Sequence, residues 1–142
     1  MGNSVMEKII LKGRKVVGGV VEGVALVTTD FMPGWGGIDP KTGEVIDVRH
    51  ELFGEKFTGK VLVYKGARGS SGWAANFQQT RFNGTAPLAM VFTVTNSKVA
   101  LGSAVTRVPA VTGFEEDPTQ IIKTGDWVRV DGDNGIVEIT RE

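Results

Sequence analysis

The residues best suited to chemistry fall in one short stretch, Lys65-Gly66-Ala67-Arg68-Gly69-Ser70-Ser71-Gly72. Arg68 supplies a fixed positive charge, and Ser70 and Ser71 supply hydroxyls. Glycines let backbone N–H groups come close to a ligand. An apolar run over residues 61–64 leads in, and a helical pattern over 73–82 leads out. Strand, glycine-rich turn and helix N-terminus together suit an anion, because the first N–H groups of a helix lack intrahelical partners and carry partial positive charge. The same residues suit an ordinary strand-to-helix turn with Ser70 or Ser71 as its N-cap. On residue types alone both readings stay open. His50, the single histidine, is a candidate acid or base. Flanked by Arg49 and Glu51, it reads first as a surface or capping group. One histidine gives no Ser-His-Asp constellation to argue for, which sets a standalone serine hydrolase aside.

The elements that must position this stretch are mostly short strands. Residues 7–13 read as a first strand ending at a glycine. Residues 16–27 are too rich in valine for a helix, and Gly18-Gly19 and Gly23 predict two strand segments with a bend or bulge. Pro33 and the glycines around Trp35 forbid a helix over 31–40. Trp35 then either folds back on the sheet or faces a ligand. Residues 39–43, Asp-Pro-Lys-Thr-Gly, form a turn, followed by a short strand over 45–48. After strand 61–64 comes the one firmly indicated helix, 73–82. Its inner positions are Trp73, Phe77 and Arg81, and Asn83-Gly84 caps it. A strand over 86–95 completes a parallel βαβ unit. Residues 98–105 suit either a short helix or a turn and strand, and 108–111 are extended. Asp117-Pro118 starts a single helical turn. Residues 127–131 and 136–140 form a final hairpin. Its loop, with Asp131, Asp133 and Asn134, lacks the terminal Glu of a calcium loop. The sum is a β-rich α/β single domain over 1–142, with seven to ten strands.

Bulk properties narrow the function further. Sixteen basic and sixteen acidic residues balance, and no basic stripe stands out, which argues against nucleic acid as a partner. With no cysteine, the chain has no disulfide, thiolate nucleophile or thiolate metal ligand of its own. No apolar stretch approaches a membrane span, and Glu7 and Lys8 interrupt any signal-peptide pattern. The expectation is a soluble, cytoplasmic protein. Twenty glycines, scattered without a period, predict many tight turns between short strands.

Several ordered motifs resemble one family. They are Trp35-Gly36-Gly37-Ile38-Asp39-Pro40-Lys41-Thr42-Gly43-Glu44-Val45-Ile46-Asp47, Arg49-His50, Phe57-Thr58-Gly59-Lys60-Val61-Leu62-Val63, Arg68-Gly69-Ser70-Ser71-Gly72 and Asn83-Gly84-Thr85-Ala86-Pro87. Together with Lys123-Thr124-Gly125-Asp126-Trp127-Val128-Arg129-Val130, this order resembles the small subunit, or swivel domain, of the aconitase X family.

That resemblance implies a swivelling β/β/α fold and a larger, aconitase-like partner subunit. The partner would hold an iron or iron–sulfur centre through its own cysteines, and this chain would carry no cofactor. The complete enzyme would be a hydro-lyase acting on a small β-hydroxy acid, with cis-3-hydroxy-L-proline and phosphomevalonate as the family's substrates. The few cations here lean toward a hydroxyproline-like substrate. By the same resemblance Ser70 would be the proton-abstracting base. Arg68, Gly69, Ser71 and Gly72 would bind the substrate or stabilise an oxyanion. Trp35, Gly36, Gly37 and Asp39 would lie near the site or the subunit junction. Half an active site leaves an apolar face around Trp35 and Ser70 open, which exposes an isolated copy to self-association. The sequence departs from the family at the bulky Trp73 and Phe77, at Gln78-Gln79, and at the polar segment Thr95-Asn96-Ser97-Lys98. A non-catalytic binding or regulatory module on the same fold is the alternative these departures raise.

Overall fold

A computed structural model describes residues 6–34, 36–68, 72–94 and 97–141. Trp35, Gly69, Ser70, Ser71, Thr95 and Asn96, all named above, lie outside the described residues.

The strands are β1 (Glu7–Lys12), β2 (Arg14–Val17), β3 (Val20–Val27), β4 (Ile38–Asp39), β5 (Glu44–Val45), β6 (Val61–Tyr64), β7 (Ala89–Phe92), β8 (Ala110–Thr112), β9 (Trp127–Asp131) and β10 (Ile136–Arg141). The helices are α1 (Gly72–Asn83), α2 (Ser97–Thr106) and the single turn α3 (Pro118–Ile121). Eight strands form one mixed sheet in the order β1-β10-β9-β3-β6-β7-β8-β2, while β4 and β5 pair separately.

β3 joins the sheet's two halves. Residues 20–24 pair antiparallel with β9, and residues 25–27 pair parallel with β6. Beyond it, β6, β7 and β8 run parallel to one another. The strands β1 and β2 stand at opposite ends of the sheet order, yet Gly13 alone separates them in sequence. The sheet therefore curls until its two edges meet at that residue.

Curling produces three layers, and the alternation along β6 shows how. Val61 and Val63 face inward onto Val128, Val130, Val137 and Ile139. Leu62 and Tyr64 face the other way, onto Trp73 and Phe77. A strand buried on both faces must read as an unbroken apolar run, and Val-Leu-Val-Tyr does. The β/β/α layering expected from the family resemblance is thus present.

Local sequence explains most boundaries. β2 and β3 are divided at Gly18-Gly19, and α1 ends at Asn83, where Gly84 takes a φ of +72°. Asp117 caps α3, its Oδ1 accepting from the Thr119 N–H at 2.9 Å. Two expectations change and one open choice is resolved. The strand expected over 45–48 stops at Val45, because the N–H groups of Ile46 and Asp47 both donate to the Gly37 carbonyl and turn the chain. The region around 98–105 is helix, not turn and strand. The inner face of α1 is completed by Asn76 and Thr80, with Arg81 only half buried.

Candidate functional site

Three segments leave the carboxyl ends of the parallel strands β3, β6 and β7, the edge where open α/β sheets hold ligands. They are stitched together by their backbones. The Thr28 N–H donates to Val63, Met32 to Gly66, Arg68 to Met32 and Lys65 to Asp30, all within 3.0 Å. Val94 closes the third side by donating to the Lys65 carbonyl at 2.7 Å. The segment 28–34 thus runs alongside 65–68 as a strand-like pair, with Met32 and Ala67 in parallel register.

Helix α1 clamps this pair from below. The Trp73 indole N–H donates to the Met32 carbonyl at 3.0 Å, and the Asn76 amide donates to Gly34 at 2.8 Å. A side chain at Gly34 would collide with the Trp73 Cα at 2.8 Å, so the loop lies flat on the helix because position 34 is a glycine. Trp73 is buried, in contact with Phe77 (ring centroids 4.4 Å apart) and Tyr64 (6.4 Å).

Above the clamp lies an open groove of about 310 Å³, lined by Pro33, Gly34, Gly36, Gly37, Asp47, Arg68 and Trp73. Among the residues singled out in the sequence, Arg68, Gly36 and Gly37 therefore come together. Gly72 opens helix α1 beside them. Asp39 does not line the groove. It ends β4, where its Oδ1 accepts the Lys41 N–H of the following turn at 2.9 Å. Trp35, Gly69, Ser70 and Ser71 lie outside the described residues.

Charge in the site centres on an ion pair. Arg68 Nη2 donates to Asp30 Oδ1 at 2.7 Å, with both side chains still partly exposed. The same carboxylate oxygen accepts the Phe31 N–H at 2.7 Å. Burial on its own would raise the Asp30 carboxyl. The Phe31 N–H, the Arg68 hydrogen bond and the Arg68 charge outweigh that and hold it below the ordinary carboxylate value.

His50 is not a surface group. It is buried, with Nε2 2.9 Å from the Phe31 carbonyl and Nδ1 accepting the Leu52 N–H at 3.0 Å. Nδ1 therefore carries no proton, and Nε2–H donates. The ring ties the turn at 46–52, which brings Asp47 to the groove, to the segment that carries Asp30.

Sequence reasoning missed Asp30, Asp47 and Asn76. A signal for Asp30 existed: it follows an apolar strand that ends at Val27, at the edge where ligand-facing residues gather. Its link to Arg68, 38 residues away, had no local signature.

Comparison with known proteins gives the context. A family model described as the aconitase X swivel domain matches residues 10–139. A protein of Methanocella arvoryzae named phosphomevalonate dehydratase small subunit is 39% identical over 92% of this chain and 98% of its own length. One of the same name from Methanosarcina acetivorans is 37% identical over 96% of this chain and 94% of its own. The crystal structure of Thermococcus kodakaraensis aconitase X, in its holo-form, superposes with a TM-score of 0.86 at 36% identity. That match covers 92% of this chain and 98% of the other. With the family model covering nearly the whole chain and the solved aconitase X structure sharing its fold, this chain belongs to the aconitase X swivel domain family.

Proposed function

We propose that this chain is the small subunit of a two-subunit phosphomevalonate dehydratase, a hydro-lyase completed by an aconitase-like large subunit. The observation that carries the reading is near-full-length similarity to small subunits of that name. It moves the substrate away from the hydroxyproline-like compound favoured on cation count. A phosphate does not need several cations on this chain if the partner contributes them.

Elimination of water from a β-hydroxy acid breaks a C–H bond next to the carboxylate. Its electrons form the C=C bond as the hydroxyl departs. The small subunit's task in this reading is the proton. Ser70 is its acceptor, assigned from its position in the sequence motif Arg68-Gly69-Ser70-Ser71-Gly72. A serine hydroxyl is a weak base, so its alkoxide needs donors around it. Arg68 and the N–H groups of residues 69–72 are the candidates. Arg68 also suits a carboxylate or phosphate oxygen of the substrate.

The departing hydroxyl belongs to the partner. This chain has no cysteine, and the described residues contain no group of three or more His, Asp or Glu side chains fit to hold a metal ion. An iron or iron–sulfur centre, which would supply Lewis-acid assistance, does not fit here and is assigned to the large subunit. The groove is open, and Ile46 and Val48, flanking Asp47, are exposed. The large subunit would close over this side, and an isolated copy would be prone to pair there with itself. No helix among the described residues is long and apolar enough to cross a membrane, and the proposed location is the cytoplasm.

A non-catalytic module loses its motive in this reading, because Trp73 floors the groove instead of filling it. The test is activity of the chain co-expressed with its large subunit, on phosphomevalonate and on cis-3-hydroxy-L-proline. The expected result is turnover of phosphomevalonate and loss of about a thousand-fold or more for Ser70→Ala in a complex that still assembles. Full activity of Ser70→Ala would remove the base assignment. Turnover of hydroxyproline alone would remove the substrate.

A further inference from the structure

Asp30 is engaged from three directions. Its backbone carbonyl accepts the Lys65 N–H at 3.0 Å, and its Oδ1 accepts both the Phe31 N–H and Arg68 Nη2 at 2.7 Å. The carboxylate is thus fixed to its own backbone before it meets the guanidinium. An ion pair this exposed adds little to stability. What it does set is direction: with Nη2 held on Asp30, one edge of the guanidinium is anchored where Arg68 borders the groove. Among the described residues no other side chain accepts a hydrogen bond from that guanidinium.

We propose that Asp30 is the positioning residue for Arg68, orienting its guanidinium toward an anionic oxygen of the substrate. This rests on the reading of Arg68 as a substrate-binding group. The opposite role is also definable. A carboxylate that merely occupies Arg68 until substrate arrives would compete with the substrate, and its removal would tighten binding.

Steady-state kinetics on phosphomevalonate, with each variant co-assembled with the large subunit, separates these roles. Asp30→Asn is expected to raise KM roughly ten-fold while kcat stays within about two-fold, the loss anticipated when a charge-assisted hydrogen bond no longer aligns its partner. Asp30→Glu is expected to recover much of that loss. In the Arg68→Ala background, Asp30→Asn should add nothing. An unchanged or lower KM for Asp30→Asn overturns the proposal, as does an additive loss in the Arg68→Ala background. If Arg68→Ala itself leaves KM unchanged, the underlying reading of Arg68 falls and the role of Asp30 with it. If neither Asp30→Asn nor Asp30→Glu assembles with the large subunit, Asp30 is a folding residue and the proposal is overturned on that ground.

Discussion

At the scale of single residues, His50 shows how a side chain can be mistaken from its neighbours in sequence. Arg49 and Glu51 are exposed, and a histidine between them looks exposed too. Folding instead turns the ring inward, where both nitrogens satisfy backbone groups, the Phe31 carbonyl and the Leu52 N–H. Truncation to alanine would leave both unpaired in a buried place. His50→Ala is therefore expected to lower unfolding free energy by about 2–3 kcal/mol in urea titration. A value near zero would mean that water replaces the ring and that the turn bearing Asp47 does not depend on it. The groove was legible in part for the same reason. Arg68 could be named because its type advertises a function, and Gly36 and Gly37 because the family resemblance points to their loop. Asp30 and Asn76 could not, because an ordinary Asp or Asn becomes a site residue only through what the fold brings beside it.

At the scale of elements, α1 and the parallel pair β6 and β7 were readable in sequence, and α2 was only half so. A short apolar stretch fits helix or strand equally well by periodicity. Gly102, in its middle, reads as a helix breaker. The structure gives that glycine another purpose. A Cβ there would collide with the edge of the Trp73 ring at Cζ3 and Cε3, so its absence lets α2 pack on the tryptophan that floors the groove. Gly102→Ala sets two effects against each other. Helix propensity favours alanine by about 1 kcal/mol. Overpacking against a buried indole costs about 1–3 kcal/mol. The clash is expected to win, giving net destabilisation by thermal or urea unfolding, with recovery in the Gly102→Ala, Trp73→Phe double variant. A stabilised single variant would show that α2 can slide on α1 at little cost. The polar character of the segment at 95–98 did not foretell this helix; its packing did.

At the scale of the whole molecule, the number of strands was legible but their order was not. Apolar residues, alternating with polar ones or in an unbroken run, mark the strands, whereas the partners of a strand are set by distant chain. Nothing local announces that β3 divides its pairing between β9 and β6, or that β1 lies along β10 from Glu7 opposite Arg141 to Lys12 opposite Ile136. Closure of the curled sheet depends on Gly13. Its N–H donates to the Gly135 carbonyl at 2.8 Å, and an added Cβ would run into the Thr112 carbonyl oxygen and the Phe114 ring. Because the first obstacle is backbone, relief requires the strands to move. Gly13→Ala is expected to cost about 1–3 kcal/mol, with enhanced hydrogen exchange in β1 and β2. Unchanged stability would mean that the two edges are not tightly joined.

The pairing of β1 with β10 also governs the order of events during synthesis. The unit of β6, α1 and β7 is made early enough to cover one of its faces with its own helix. Its other face, Val61, Val63, Ala89 and Val91, waits for Val128 and Val130 on β9 and for Val137 and Ile139 on β10. Until those strands are made, the inner face of this unit has no partner and half of the interior stays wet. Only when the final hairpin emerges can the first strand find its mate, a contact between the most distant parts of the sequence.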